Sequence, residues 1–296
     1  MVTRFLSALI FNLARLISFL PLRSLYVISD FAAFILRKVI GYRKAVIIQN
    51  LSRSFPDYRY KQITAVAHEF YNHFTDVFIE VIKSISMSRA NMKRRYKVEN
   101  ADLLLNYYQE NRNIIGLTGH LANWEWLSIV PSLYPFSCYT LYKPLRSKIA
   151  EHLMTRIRLR FGMKLLPMAN AARYILSHKD SRSFYIFIGD QSPAKVDNPQ
   201  VFNFLHQPTS FFAGGAKLAK ATNAAVVYIS IRKVSRGYYS LTFIPIEKPA
   251  DQILQSYSEL LEADIRNNPA HWLWSHKRWK HSLTEDKVKA KEILTD

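Results

Sequence analysis

His120 and Glu125 stand five residues apart in the segment GHLANWE, Gly119 to Glu125, and form the pairing in this chain most able to move a proton. An imidazole takes and returns protons near neutral pH, and a carboxylate on its second ring nitrogen fixes its tautomer and orientation. The segment begins where a strand at 113–119 ends and a helix near 123–132 begins. Open α/β sheets put their sites at such strand ends. Five residues is slightly out of line for one helical face, but a strand-to-helix corner brings such side chains together. No Ser or Cys stands at a nucleophile elbow, so the pair would activate a substrate hydroxyl directly, without a covalent enzyme intermediate. The spacing alone equally suits a surface histidine beside a helix-capping glutamate.

The elements that must position this pair follow from the hydrophobic pattern. Alternating or continuous apolar runs at 113–119, 136–142, 183–190, 224–233 and 238–246 read as strands. Helical stretches near 123–132, 146–161, 170–178, 210–222 and 251–267 separate most of them. That order predicts an α/β fold with a mostly parallel central sheet flanked by helices. The first third is helical: 43–54 and 58–88 break at Pro56, and Phe70, Phe74, Val77, Phe78 and Val81 share one apolar face. No repeat, low-complexity tract or linker divides the chain further. The expected organisation is a membrane-associating helical segment at 1–42 and an α/β domain at 43–296.

Composition narrows the partners. With 296 residues and 49% hydrophobic side chains the chain folds, and its single cysteine, Cys138, excludes a disulfide framework and a CxxC metal site. A formal charge of +19 calls for a polyanionic partner, which could be nucleic acid, an anionic membrane surface or a phosphorylated substrate. The 14% aromatic content favours the membrane, because rings and basic side chains both settle at headgroup level. From Phe5 to Leu22 the chain is long enough to cross hydrocarbon, but Asn12 and Arg15 interrupt it. Arg4, Ser7, Arg15 and Ser18 fall on one stripe, so a helix lying in the interface could keep that stripe among headgroups. A second apolar run, Leu25 to Ile40, ends among Arg37, Lys38, Arg43 and Lys44, cations that suit an anionic cytoplasmic leaflet. A secretory signal fits less well, since no small-residue cleavage site follows before Arg23. Buried helices and a single true span are the other readings. A basic nucleic-acid binder would share the charge, but the apolar opening and the lack of a recognisable nucleic-acid module oppose it.

At GHLANWE the chain resembles the lysophospholipid acyltransferase superfamily, marked by a His, four residues and an acid. Within it, the chain is similar to the late acyltransferases of lipid A biosynthesis, which write the motif as GHxGNWE; Ala122 stands where Gly is usual. The resemblance runs through YRKAVIIQNLSRSFPD (42–57), LYKPLRSK (141–148), RIRLRFG (156–162) and IGDQSP (188–193) to HWLWSHKRWK (271–280).

It implies transfer of an acyl group from a thioester, by resemblance acyl carrier protein, to a hydroxyl of a phosphorylated lipid A precursor at the cytoplasmic face of an inner membrane. His120 is then the general base and Glu125 its partner. The resemblance points to an Arg before Phe161-Gly162, namely Arg158 or, second, Arg160, and to Asp190 with Gln191 in the DQ segment. These four and Asn123 are the expected substrate-binding residues, with no metal and no bound cofactor. A guanidinium could stabilise the thioester oxyanion or grip a phosphate, and Asp190 could order it or form a turn. Another lipid acceptor, a lysophospholipid or an aminolipid, is equally compatible with the motif. WLWSHKRWK could bind sugar phosphates or membrane, or act as an amphipathic cover. Gly214 and Gly215 could admit an acyl chain or pack a helix on the sheet.

Overall fold

A computed structural model of the chain describes residues 2–193 and 200–280. Helices α1 (Val2–Ser18) and α2 (Leu22–Phe34) open it, followed by a π-helical turn at Ile35–Ile40. Then come α3 (Lys44–Ser54), the long α4 (Tyr60–Lys83) and α5 (Arg89–Arg95). The α/β portion continues with β1 (Tyr96–Val98), α6 (Asp102–Gln109), β2 (Ile114–Thr118), a 3-10 helix (Trp124–Ser132), β3 (Cys138–Tyr142), α7 (Lys148–Leu159), β4 (Lys164–Pro167), α8 (Met168–Ser177) and β5 (Phe184–Ile188). A hairpin of β6 (Val201–Phe204) and β7 (Gln207–Ser210) precedes α9 (Gly214–Thr222), β8 (Ala225–Ser235), β9 (Tyr238–Pro245) and α10 (Ile253–Asn267).

Among the described residues seven strands form one sheet in the order β1-β9-β8-β2-β5-β3-β4, and the β8–β9 hairpin supplies its one antiparallel pairing. The predicted mostly parallel sheet is therefore present. IIGLT of β2 and FYIFI of β5 are continuous apolar runs because they are central parallel strands covered on both faces. Alternate residues feed two separate layers. Ile115, Leu117, Tyr185, Phe187, Val226 and Tyr228 join one cluster; Ile114, Phe184, Ile186, Val227 and Ile229 join the other. A fully buried side chain of this size contributes about 2 kcal/mol. Gly116 on β2 leaves room for that crowding, since a Cβ there would lie 2.7 Å from both Phe184 and Ile229. Gly215 opens α9 onto the sheet, where a Cβ would meet Leu117 at 2.7 Å.

The N-terminal helices pack on the rest of the chain, α2 against α4 and α1 against α4 and α7. Ser29 donates to Asp76 (2.8 Å), Tyr26 to Glu80 (2.9 Å), and Lys83 to the Ser18 carbonyl (2.8 Å). Their outer faces remain apolar and open: Phe5, Leu16, Val27 and Phe31 are each at least 67% exposed. Among the described residues no single helix is long and apolar enough to cross a membrane. Phe5–Ser18 and Leu22–Ile40 together have the length and composition but are bent by 117°.

Candidate active site

Register explains how the site is assembled. β2 and β5 are parallel neighbours with Thr118 opposite Ile188, and Gly189 continues the ladder by donating to the Thr118 carbonyl at 3.0 Å. His120 and Asp190 each lie two positions past these partners, so the sheet delivers them side by side at its carboxyl edge. His120 Nδ1 lies 2.5 Å from Asp190 Oδ1, and the His120 backbone N–H donates to Asp190 Oδ2 at 2.8 Å. Gly119 permits this approach: a Cβ there would stand 3.1 Å from Asp190 Oδ2 and 2.7 Å from Leu261.

Asp190 is 2% exposed. Burial pushes its carboxyl up, but the His120 charge and the hydrogen bonds from His120 and Trp272 outweigh this and bring it down to about 2. Trp272 Nε1 donates to Asp190 Oδ2 at 2.7 Å, which satisfies the second carboxylate oxygen. On the other side of the ring, Gln191 Nε2 lies 3.2 Å from His120 Nε2. A carboxylate only accepts and an amide NH2 only donates, so the proton sits on Nδ1 and Nε2 presents its lone pair.

Glu125 does not hold His120, contrary to the sequence expectation. Its carboxylate is taken bidentately by Arg158, Nε to Oε2 at 2.8 Å and Nη2 to Oε1 at 2.6 Å. The fork geometry of a guanidinium suits this two-bond pairing, and α7 lies across the 3-10 helix to supply it. The 3-10 helix turns Glu125 toward α7, whereas the carboxylate facing His120 comes from a strand end seventy residues along. Asp190 accordingly orders His120, not Arg158.

Three further residues were expected to bind substrate. Gln191 lines the cavity beside His120. Asn123 is fully buried and does not: its Nδ2 donates to Glu80 Oε2 at 2.7 Å, and its Oδ1 caps the 3-10 helix by accepting from Trp126 N at 3.2 Å. Arg160 also turns away, donating to the Ser84 and Met87 carbonyls at 2.9 and 2.6 Å. Arg158 is thus the arginine of the pair that reaches the site.

Ala122 occupies the left-handed region at φ +46°, fully buried, with its N–H on the His271 carbonyl at 2.9 Å. This backbone position favours glycine, which accounts for the residue usual in the motif. Glu80, missed in the sequence because it lies on a helix far from the motif, anchors the turn. It is 0% exposed and accepts from Asn123, Tyr239 and Tyr26 at 2.7, 2.7 and 2.9 Å. The C-terminal strap forms a second support. Trp272, Trp274 and Arg278 are buried, Asn50 Nδ2 donates to the Trp274 carbonyl at 2.9 Å, and His276 Nε2 receives the Ser192 N–H at 3.3 Å. The tryptophan-rich segment therefore packs under the 119–125 turn.

The site opens into a cavity of about 420 Å³ lined by His120, Glu125, Tyr142, Lys143, Arg146 and Arg158 among others. A second, more apolar groove of about 300 Å³ between Phe74, Phe78, Val81, Met154 and Leu273 shares Trp124 and Glu125 with it. The arrangement places a lone pair able to take a hydroxyl proton in the wall of the cationic cavity, with the apolar groove reached past Trp124 and Glu125.

Comparison with known proteins agrees in direction. Residues 1–281 match the family described as bacterial lipid A biosynthesis acyltransferase. The chain is 21% identical over 249 residues to the lipid A biosynthesis palmitoleoyltransferase of Escherichia coli (strain K12), covering 82% of this chain and 81% of that protein. A lipid A biosynthesis acyltransferase of Haemophilus influenzae (strain ATCC 51907 / DSM 11121 / KW20 / Rd) is 21% identical over 229 residues, covering 76% and 72%.

Proposed function

The chain belongs to the bacterial lipid A biosynthesis acyltransferase family, and we propose that it moves a fatty acyl chain from acyl carrier protein thioester to a hydroxyl of a lipid A precursor, with His120 as general base. The observation that carries this reading is the His120 ring, fixed by buried Asp190 on Nδ1, with Nε2 turned to the cationic cavity.

The acceptor hydroxyl displaces Gln191 from Nε2. Its oxygen attacks the thioester carbonyl carbon while Nε2 takes the hydroxyl proton. Asp190 stabilises the imidazolium so formed, and Gln191 Nε2, released but adjacent, donates to the developing oxyanion. Collapse breaks the C–S bond, and the imidazolium returns its proton to the departing thiolate. Glu125 holds Arg158 flat and oriented in the wall, where Arg158, with Lys143 and Arg146, faces the phosphate of the acceptor.

Membrane association at the cytoplasmic face of the inner membrane completes the reading. The open apolar faces of α1 and α2 support it: four side chains at least 67% exposed on one helical pair suit an interface-lying segment. The +19 charge serves an anionic leaflet and an acidic carrier protein alike.

The direct test incubates detergent-solubilised protein with acyl carrier protein thioester and under-acylated lipid A precursor, read by mass spectrometry. Wild type should add one acyl chain and His120→Ala none. A lysophospholipid acylated in preference would replace the acceptor, and full activity in His120→Ala would remove the base.

A further inference from the structure

The π-helical turn at Ile35–Ile40 carries Arg37 and Lys38, and Gly41, at φ +63°, closes it by directing its N–H to the Leu36 carbonyl. The reversal brings in Lys44, the first residue of α3. These three cations share a cavity of about 200 Å³ with Tyr60, Thr64 and His68 of α4. No acidic side chain lines it. Arg37, Lys38 and Lys44 form no ion pair with any carboxylate among the described residues. Arg37 Nε is shielded from solvent and has no hydrogen-bond partner among the described residues. His68 is held below its ordinary pKa by burial and by the Arg37 and Lys38 charges. Like charges gathered without a counter-charge repel, and an anion in the shared space reverses the sign of that energy.

The surroundings identify the kind of anion. Val39 and Ile40, next to Lys38 in the chain, are 67% and 62% exposed, and Tyr60 is 74% exposed. The cations therefore sit beside apolar side chains turned outward, as headgroup-level residues do.

We propose that this cavity binds the phosphate of an anionic glycerophospholipid headgroup, with Val39, Ile40 and Tyr60 in the interfacial region beside it. The site rests on the membrane association argued above and gives it a specific lipid contact. A phosphodiester supplies the acceptor oxygens that the Arg37 fork and the two ammonium groups lack. Free phosphate shares the charge but not the apolar contact.

Vesicle flotation of the full chain at physiological salt tests this, using vesicles of phosphatidylcholine alone and of phosphatidylcholine with about a third phosphatidylglycerol. Wild type should bind both, the anionic vesicles about tenfold or more tightly. The triple variant Arg37→Gln, Lys38→Gln, Lys44→Gln should lose that increment and keep wild-type binding to phosphatidylcholine, which also reports an intact fold. A control of equal charge change, Lys179→Gln, Lys220→Gln, Lys248→Gln, removes exposed lysines elsewhere and should keep the increment. Equal losses in the two triple variants, or equal binding of wild type to both vesicles, overturn the site and leave membrane association standing. Failure of wild type to bind either vesicle overturns the association as well. Dihexanoyl-phosphatidylglycerol should displace the protein from anionic vesicles at concentrations where inorganic phosphate does not; equal displacement by both would assign the cavity to free phosphate.

Discussion

Asp190 holds His120 twice, by the ring Nδ1 at 2.5 Å and by the backbone N–H at 2.8 Å, so one buried carboxylate fixes both the tautomer and the position of the proposed base. The second grip matters because a histidine on a turn past a strand end would otherwise be free to swing about its backbone.

Asp190→Asn isolates the tautomer. The amide keeps the size of the carboxylate but can turn its NH2 to Nδ1, which moves the ring proton to Nε2 and removes the lone pair that accepts the hydroxyl proton. Steady-state kinetics should show kcat lowered by about a thousandfold with KM little changed. An unchanged kcat would remove Asp190 from the proposed mechanism.

Glu125 pairs with Arg158, not with His120, and stability double-mutant cycles read this directly. Glu125→Ala and Arg158→Ala should each destabilise by about 2 kcal/mol, with a coupling of about 1–2 kcal/mol between them. The pair is 12% and 22% exposed, so solvent weakens it only in part. Glu125→Ala and His120→Ala should add to within about 0.5 kcal/mol. Chemical denaturation of wild type, the three single variants and the two double variants measures both couplings.

Ala122 sets two opposing effects against each other. Replacing it with Gly relieves a left-handed backbone at φ +46°, at the cost of one buried methyl group and a freer unfolded chain. The two sides nearly cancel, since the left-handed penalty for a residue with a Cβ is about 1–2 kcal/mol, the buried methyl contributes about 0.8 kcal/mol and the freer unfolded chain costs about 0.4–1 kcal/mol. Ala122→Gly should therefore shift stability by less than about 0.5 kcal/mol in urea titration.

Buried histidines under the 119–125 turn shape the acid response, and His73, fully enclosed with its ring 4.5 Å from that of His271, is held well below its ordinary value by burial and then by the His271 charge. Burial brings His271 and His276 from 6.5 down to about 4; the Lys233 charge adds to it at His271, whereas at His276 the Asp190 charge opposes it and the His120, Arg278 and Lys280 charges reinforce it. The unfolded chain binds more protons than the folded one between those values, so stability is full above pH 6.5 and falls as pH drops toward 4. These two rings should together account for about 3 kcal/mol of the loss, less than the sum of two full shifts because neither is wholly enclosed. Asp190 acts in a separate, lower window: its stabilisation is present above its ordinary value of 3.8 and is lost as pH falls toward 2. Thermal unfolding across pH should show the first slope, and His271→Gln should flatten it.

The sequence by itself determined the α/β class, the mostly parallel sheet, the helical opening and the corner that carries His120. Each of these rests on local periodicity: runs such as IIGLT and FYIFI, and Gly119 at the end of β2, declare themselves within a few residues. Shorter pieces did not. β1 has three residues and β4 four, too few for alternation to emerge, and the β6–β7 hairpin follows no long apolar run. The stretch expected as a helix near 123–132 is a 3-10 helix, since Pro131 has no N–H to donate and Asn123 caps the turn with its side chain.

Only the tertiary structure decided who partners whom. Proximity in the chain suggested Glu125 for His120, whereas strand order put β5 beside β2 and matched Thr118 with Ile188, bringing Asp190 to the ring. Trp272, Glu80 and His271 reach the motif from elements far away in the chain, and nothing in their local spacing announces it. Residue types and periods are written locally and survive in a single sequence; neighbour order in a sheet is set by which faces bury together, a property of the whole fold.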